Sequence, residues 1–252
     1  MLKEHEELLD MQIAQDNSIE GESTTQCHTC KNKGRIYVKR YNEECDYYYE
    51  AIQECPDCST KRKIMSAVKG ANLDYEKYNL YNYQCQTVWQ KEVLDRARKF
   101  IETPCGFWYI GGQSGSGKTH ICTSICLKLI KDQSRQVVVM NWRSDATQLK
   151  QVANDSSLYQ PMISNYKKTE VLYIDDFFKC GEKPTSADIN LAFEILNERY
   201  NDKSKITIIS SEYYLDEIAR FDNAIAGRIK ERSFGNVFKI PRTVSYDMRQ
   251  VI

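Results

Sequence analysis

The segment Gly112-Gln-Ser-Gly-Ser-Gly-Lys118-Thr119 constrains this chain more than any other eight residues. It fills every fixed position of G-x-x-x-x-G-K-[ST]. The apolar run Phe107-Trp-Tyr-Ile110 before it reads as a buried strand, and Ile121 to Ile130 after it reads as a helix. Glycines at 112, 115 and 117 permit a bend that turns successive N–H groups into one concavity, a nest for a polyanion. The helix that follows adds its positive N-terminal end. Lys118 is then expected to reach the β- and γ-phosphates, and the Thr119 hydroxyl to ligate Mg²⁺. Gln113, Ser114, Ser116 and His120 complete the candidate nucleotide contacts. A Gly/Ser-rich surface turn would share the composition but not the strand and helix on either side. The sequence therefore predicts a nucleoside triphosphate site.

The rest of the C-terminal part, residues 104–252, fits a domain built around such a loop. Short continuous apolar runs at 107–110, 137–140, 171–174 and 206–209 suit parallel strands covered on both faces. Helical stretches separate them, notably Ser186 to Tyr200 with Ile189, Phe193 and Leu196 in register. Strand–helix alternation with a phosphate loop after the first strand predicts a three-layer α/β P-loop domain with a parallel sheet. The run Val171 to Ile174 ends in Asp175-Asp176, some 56 residues after Thr119. At the C-terminal edge of a parallel sheet, strand ends open into the ligand crevice. Asp175 is expected to hold Mg²⁺ beside Thr119, and Asp176 to orient or deprotonate the attacking water. The extra strand between loop and acids points to the P-loop branch that hydrolyses with an acidic residue.

A second chemistry lies upstream. Cys27-His-Thr-Cys30 and Cys55-Pro-Asp-Cys58 form C-x₂-C…C-x₂-C with 24 residues between the pairs. Two residues between thiolates let both reach one tetrahedral Zn²⁺, and two such knuckles close a four-sulfur site. Arg35 to Lys39 alternates like a strand and Tyr47 to Ile52 could return antiparallel, giving a small zinc ribbon with little core of its own. His28 and Cys45 are alternative ligands. Neither pair reads as opening a helix after a strand, which argues against redox chemistry. Lys31, Lys33, Arg35, Lys39 and Arg40, interleaved with Tyr37 and Tyr41, suit single-stranded nucleic acid; an ordinary solvated hairpin face fits equally well. The other cysteines near the loop (Cys105, Cys122, Cys126 and Cys180) read as small buried hydrophobes.

Charge divides the chain where composition does not. Thirty-five Lys and Arg balance thirty-five Asp and Glu, so global charge selects no partner. Residues 1–26 carry seven acids against one Lys, and read as an acidic arm with weak helical amphipathicity through Leu2, Leu9 and Ile13. Residues 27–65 form the cysteine module, and residues 66–103 a basic, mostly helical connector, with Val88, Trp89, Val93, Leu94, Ala97 and Phe100 at helical spacing. No stretch has membrane-spanning length or a signal-peptide core, so a soluble cytoplasmic protein is expected.

In this order, the features resemble the bacterial helicase loaders of the DnaC/DnaI type, ATPases of the AAA+ class. The resemblance runs from about Asp74 to Arg232 through Lys118-Thr-His120, Ile174-Asp-Asp176, Phe193 to Tyr200, Thr207 to Ser211, Leu215 to Ile218 and Gly227 to Arg232. It implies that Lys118 and Thr119 serve ATP and Mg²⁺, that Asp175 is the metal acid and Asp176 the hydrolytic one. It also makes Arg232, with Arg228 as second candidate, an arginine finger reaching a neighbouring subunit. The implied partners are a hexameric replicative helicase, gripped by the zinc module, single-stranded DNA, and further copies of the chain.

Two departures from that family stand out. Ser210-Ser211-Glu212 replaces the polar Asn that usually follows the fourth strand, so Ser211 serves instead or sensing is altered. Ser245-Tyr-Asp-Met-Arg249 stands where the family has Ser-Tyr-Arg, so the C-terminal sensing arginine is displaced or missing. Weak hydrolysis, with ATP as a binding switch, would follow. The competing readings are an IstB-like transposition helper ATPase and an adaptor that sequesters the helicase; a small-molecule kinase would want a basic lid that the sequence lacks.

Overall fold

The computed structural model describes residues 2–18, 27–31, 33–74, 77–181 and 183–243. The chain forms two compact units, Met1–Ser66 and Ala67–Ile252.

In the first unit, α1 (Leu2–Ser18) precedes an antiparallel hairpin of β1 (Arg35–Asn42) and β2 (Tyr47–Glu54), followed by α2, which begins at Pro56 and ends at Gly70. Proline suits that first helical position, because its missing N–H would be unpaired there in any case. The acidic segment, read as an arm with weak helical amphipathicity, is a helix that packs on the hairpin rather than standing in solvent. Glu6, Leu9, Ile13, Asp16 and Asn17 are its half-buried positions, one stripe at helical spacing. Asn17 locks the register, accepting from the Tyr37 N–H at 2.9 Å and donating to the Tyr37 carbonyl at 3.0 Å. Leu2 keeps its place in the helix, but its side chain lies outside the described residues, as do residues 19–26 of the arm.

The second unit runs through α3 (Val88–Glu102), β3 (Phe107–Gly111), α4 (Lys118–Gln133), β4 (Val137–Asn141), α5 (Trp142–Gln151), α6 (Ser156–Lys168) and β5 (Val171–Phe177). It continues through α7 (Ser186–Asn201), β6 (Ile206–Ser211), α8 (Leu215–Phe221), α9 (Asn223–Arg232) and β7 (Val237–Lys239). The five strands form a wholly parallel sheet ordered β4-β5-β6-β3-β7. Strand β6 thus separates the phosphate-loop strand β3 from the acid-bearing β5. Alternation along β3 assigns the layers: Trp108 meets Phe100 of α3 with ring centroids 5.5 Å apart, while Phe107 and Tyr109 join the core under α5–α9. Helices α3 and α4 pack on one face, and the other five on the opposite face.

Four expectations need correction. The connector 66–103 is not a separate body, because α3 buries Val93, Leu94, Ala97 and Phe100 within the second unit; Val88, at its first turn, is solvent-exposed. Helix α7 buries Asp188, Leu191, Ala192, Ile195, Leu196 and Arg199, not the stripe through Ile189 and Phe193. Two charged residues on the buried face masked that stripe in the sequence. Asp188 is paired with Lys150 at 2.6 Å and closes a capping box with Thr185. Arg199, fully buried, donates to the Thr207 hydroxyl and to the carbonyls of Tyr166, Lys167, Thr169, Glu170 and Ile206, tying the starts of β5 and β6 together. Cys122 and Cys126 are buried as expected and Cys180 partly so, but Cys105 is exposed.

Candidate functional site

Gly115 and Gly117 adopt the left-handed conformation, φ 79° and 82°, and Gly117 caps α4. Few L side chains would tolerate both turns in succession. Gly112 is needed for a different reason: a Cβ there would stand 2.7 Å from Ile240 Cβ. The loop is therefore pinned to the segment after β7, whose Ile240 N–H donates to the Gly111 carbonyl at 2.8 Å.

Lys118 is buried at 5 % exposure, and its ammonium donates to the Gly112 and Gln113 carbonyls at 2.9 and 2.7 Å. One of its three protons is left to meet a ligand. Burial lowers its pKa, while Glu212 and Asp176 counter that and Lys179 adds to it. Charges from three elements thus act on one small volume, a cleft of about 350 Å³ lined by Ser114 to His120, Tyr78, Asn82, Asp176 and Lys179.

The Thr119 hydroxyl donates to Asp175 Oδ1 at 3.2 Å, so a hydroxyl and a carboxylate stand where both can reach one hard cation. Asp175 Oδ1 also accepts from Tyr173 at 2.6 Å and Ser210 at 2.5 Å. These contacts fix the carboxylate's orientation before any metal arrives. Strand β5 does not end at Ile174 but carries both acids through a bulge: Ile174 pairs with Ile209 and Phe177 with Ser211. Asp176 takes φ 53°, and its N–H is held by Ser210 Oγ at 3.1 Å. A bulge re-aims a side chain, and here it separates the two neighbouring acids. Asp176 accepts from Lys179 at 3.1 Å, and Lys179 also pairs with Glu212 at 2.9 Å.

The other expected residues fall in several places. Ser211, the suggested replacement for the family's Asn, is buried and donates to the Phe177 carbonyl, so Ser210 is the serine at the site. His120 sits in the cleft, but its Nε2 lies 2.9 Å from the Asn79 carbonyl and 2.8 Å from Asn82 Oδ1, against the rings of Tyr78 and Tyr83. Burial lowers its pKa, so at neutral pH the neutral ring anchors the 78–83 loop to the phosphate loop. Arg232 is 7 % exposed, packed over the rings of Phe107 and Phe234, with one N–H donating to the Asp202 carbonyl. It is not displayed for a neighbouring subunit. Arg228 is half-buried, stacked over Phe193 and Tyr200 and bonded to Asn197. Residues 245–249 lie outside the described residues.

Tyr173, Ser210, Lys179, Tyr78 and Asn82 were missed in the sequence. Tyr173 had a signal, since period-two alternation puts it on the face of Asp175. Lys179, three residues past Asp176, had a weak one. Ser210 reaches the site only through the register of β6, and the 78–83 loop has no periodicity to read.

In the first unit, the sulfurs of Cys27, Cys30, Cys55 and Cys58 all lie within 4.8 Å of one another. The spacings Cys27–Cys55, 3.8 Å, and Cys30–Cys58, 3.4 Å, lie close to the ~3.8 Å edge of a tetrahedron with ~2.3 Å Zn–S bonds. Lys31 at φ 48° turns the first knuckle, and the Gly34 N–H donates to Cys30 Sγ at 3.3 Å. The backbone N–H of Cys30 lowers the Cys27 thiol to about 7, while bonding with Cys30 and Cys27 raises Cys58 to about 12. The Cys27 thiol therefore yields its proton readily, whereas Cys58 needs the cation's charge. The donor set fits zinc. His28 is exposed, and Cys45 lies in the turn at the far end of two eight-residue strands, about 25 Å off at ~3.3 Å per residue.

The second pair departs from expectation. Cys55-Pro-Asp-Cys58 does follow a strand and open a helix, so the argument against redox chemistry from its surroundings fails. Convergence of all four sulfurs now carries the metal assignment. The basic hairpin face is also partly covered: Lys39 pairs with Glu6 and Asp10 of α1, and Lys33 donates to the Asp16 carbonyl.

Among the described residues no helix is long and apolar enough to cross a membrane. The pattern of the IstB-like ATP binding protein family matches residues 52–232, and the chain belongs to that family. It is 35% identical over 123 residues to phage-like element PBSX protein XkdC of Bacillus subtilis (strain 168). That match covers 48% of this chain and 45% of XkdC, so the aligned part is less than half of the relative's length. A protein described as a candidate primosome component from Streptococcus pyogenes serotype M3 superposes with TM-score 0.54 at 16% identity, over 67% of this chain and 88% of that one. DnaI superposes with TM-score 0.53 at 18% identity, over 66% and 89%. At such identities these two likenesses speak to the fold.

Proposed function

We propose that this member of the IstB-like ATP-binding family is an ATPase that loads a hexameric replicative helicase onto single-stranded DNA. The observation that carries the reading is the pairing, in one chain, of an assembled triphosphate site with a separate four-cysteine unit ahead of it. In this account the loop amides and Lys118 bind the phosphates, and Thr119 and Asp175 hold Mg²⁺, which neutralises charge on the β- and γ-oxygens. Asp176 takes the proton of the attacking water. Assembly with further copies brings a cation in trans, and Arg228 is better exposed for that than Arg232, whose guanidinium would have to leave the Phe107 and Phe234 rings. The zinc unit grips the helicase. ATP and ADP forms differ in affinity for these partners, which drives binding and release.

The transposition-helper reading shares the family and the ATP site; the four-cysteine unit favours the loader. One observation favours a helicase-sequestering adaptor: Lys179 engages Asp176, the acid that hydrolysis needs free. Affinity capture from host lysate, with and without ATP, tests the proposal. Recovery of the replicative helicase supports it, whereas a transposase, or no helicase, overturns it.

A further inference from the structure

The turn after β5 brings a second lysine to the cleft. Lys179 N–H donates to the Asp176 carbonyl at 2.8 Å, so the chain folds back immediately after the acid. Its ammonium then stands 3.1 Å from Asp176 Oδ2 and 2.9 Å from Glu212 Oε1. Glu212 follows the end of β6, and its carbonyl is held by Arg242 at 2.7 Å. Two strand ends therefore set the position of the lysine. Lys179 lines the same cleft as the phosphate loop, and a third of its side chain is exposed.

The groups around Lys179 bear on which phosphate it would meet. The loop residues Ser114 to His120, Lys118 among them, line one cleft with Asp176 and Lys179. Thr119 and Asp175 are the residues that would hold a cation, which would supply charge neutralisation to the terminal phosphates. Asp176 lies beyond Asp175 on β5, and Lys179 is bonded to Asp176. An ammonium has three donors, and the two carboxylates use two. Without that lysine, Asp176 and Glu212 would present two uncompensated negative charges to the end of a polyanion.

We infer that Lys179 is a γ-phosphate-binding residue supplied within the same subunit, with Glu212 as its positioning residue. The inference rests on the ATP reading above. It also gives Glu212 a purpose: this carboxylate, where the family usually carries Asn, aims the lysine that binds the γ-phosphate. A cation that contacts only the γ-phosphate distinguishes ATP from ADP.

The experiment is equilibrium titration of the full chain with ADP and with the non-hydrolysable ATP analogue AMPPCP. The proteins are wild type, Lys179→Met, and the double variant Lys179→Met with Glu212→Gln. The double variant removes one positive and one negative charge, leaving local net charge unchanged. Loss of a charge-assisted hydrogen bond corresponds to roughly tenfold to hundredfold weaker binding. The expected result is that loss for AMPPCP in both variants, with ADP affinity held within about twofold by the intact loop amides. Two results overturn the inference: an unchanged AMPPCP-to-ADP ratio in Lys179→Met, or return of the wild-type ratio in the double variant. The second would mean that Lys179 only neutralises Glu212. Failure of the wild type to bind either nucleotide would instead remove the ATP reading, and this inference with it.

Discussion

Removing the metal from the four-cysteine unit, or replacing Cys55 by serine, is expected to unfold the hairpin while the nucleotide unit stands. The reason is how little else holds the hairpin. Among the described residues of Met1–Ser66, the only buried apolar side chains are Cys30 and Cys55, two of the proposed ligands. Burying a full-sized apolar side chain contributes ~1.5–3 kcal/mol, and a cysteine is smaller than those. A structural zinc contributes ~10–16 kcal/mol at neutral pH. The surface pairs of Lys39 with Glu6 and Asp10 add little in water. The metal term dominates, and losing it exceeds what hydrophobic burial supplies here. The assay combines elemental analysis with near-ultraviolet circular dichroism, which reports the tyrosines at 37, 41, 47, 48 and 49, and with limited proteolysis. After chelation the part of the near-ultraviolet signal that these five tyrosines contribute should be lost and cleavage should concentrate before residue 67, with nucleotide affinity unchanged. A metal-free hairpin that keeps its signal and resists protease would refute the reasoning.

Arg199→Met should destabilise the nucleotide unit by about 3–5 kcal/mol, as for a broken buried charge network, measured by urea unfolding. Burial pulls this guanidinium down to about 9, so it stays charged at neutral pH; a loss under about 1 kcal/mol would mean that its backbone acceptors find other partners. Acid should weaken the same unit in a defined window. Burial raises the Asp188 pKa, but Lys150 and the Thr185 hydroxyl outweigh it, and Arg242 lowers Glu217 directly. Folded values below unfolded ones give stability that is complete above the ordinary carboxylate range near ~4 and lost as pH falls through the folded values. Asp188→Asn should flatten that part of the stability–pH curve, and an unchanged slope would contradict the assignment.

Much of the nucleotide site was legible because a phosphate loop needs glycine and lysine at fixed spacing, whatever the rest of the fold does. Asp175 was legible for a related reason: a carboxylate at the end of a buried strand must meet solvent or a cation, and the phosphate loop upstream favours the cation. Asp176 was found, but its bulge was not, since register comes from the neighbouring strand. The three-residue strand β7 was missed because Val237 to Lys239 is too short to show a period. Buried charge misled the reading of α7, where Asp188 and Arg199 lie on the core face with partners far away in sequence. Acidic composition misled the reading of α1, whose stripe includes the very acids that suggested solvent. Arg232 shows the limit of carrying a role over by position: its place in α9 says nothing of the aromatic rings that enclose it.

The most direct measurement of the central claim is helicase loading on closed circular single-stranded DNA, which has no end to thread. Purified host helicase is mixed with the circle and with wild-type protein or Lys118→Ala, with ATP, and the helicase retained on DNA is counted. The account gives several-fold more loaded helicase with wild-type protein and ATP, and none of that gain with Lys118→Ala. No gain with wild type, or a fall below the helicase alone, would contradict loading and identify a protein that holds the helicase back.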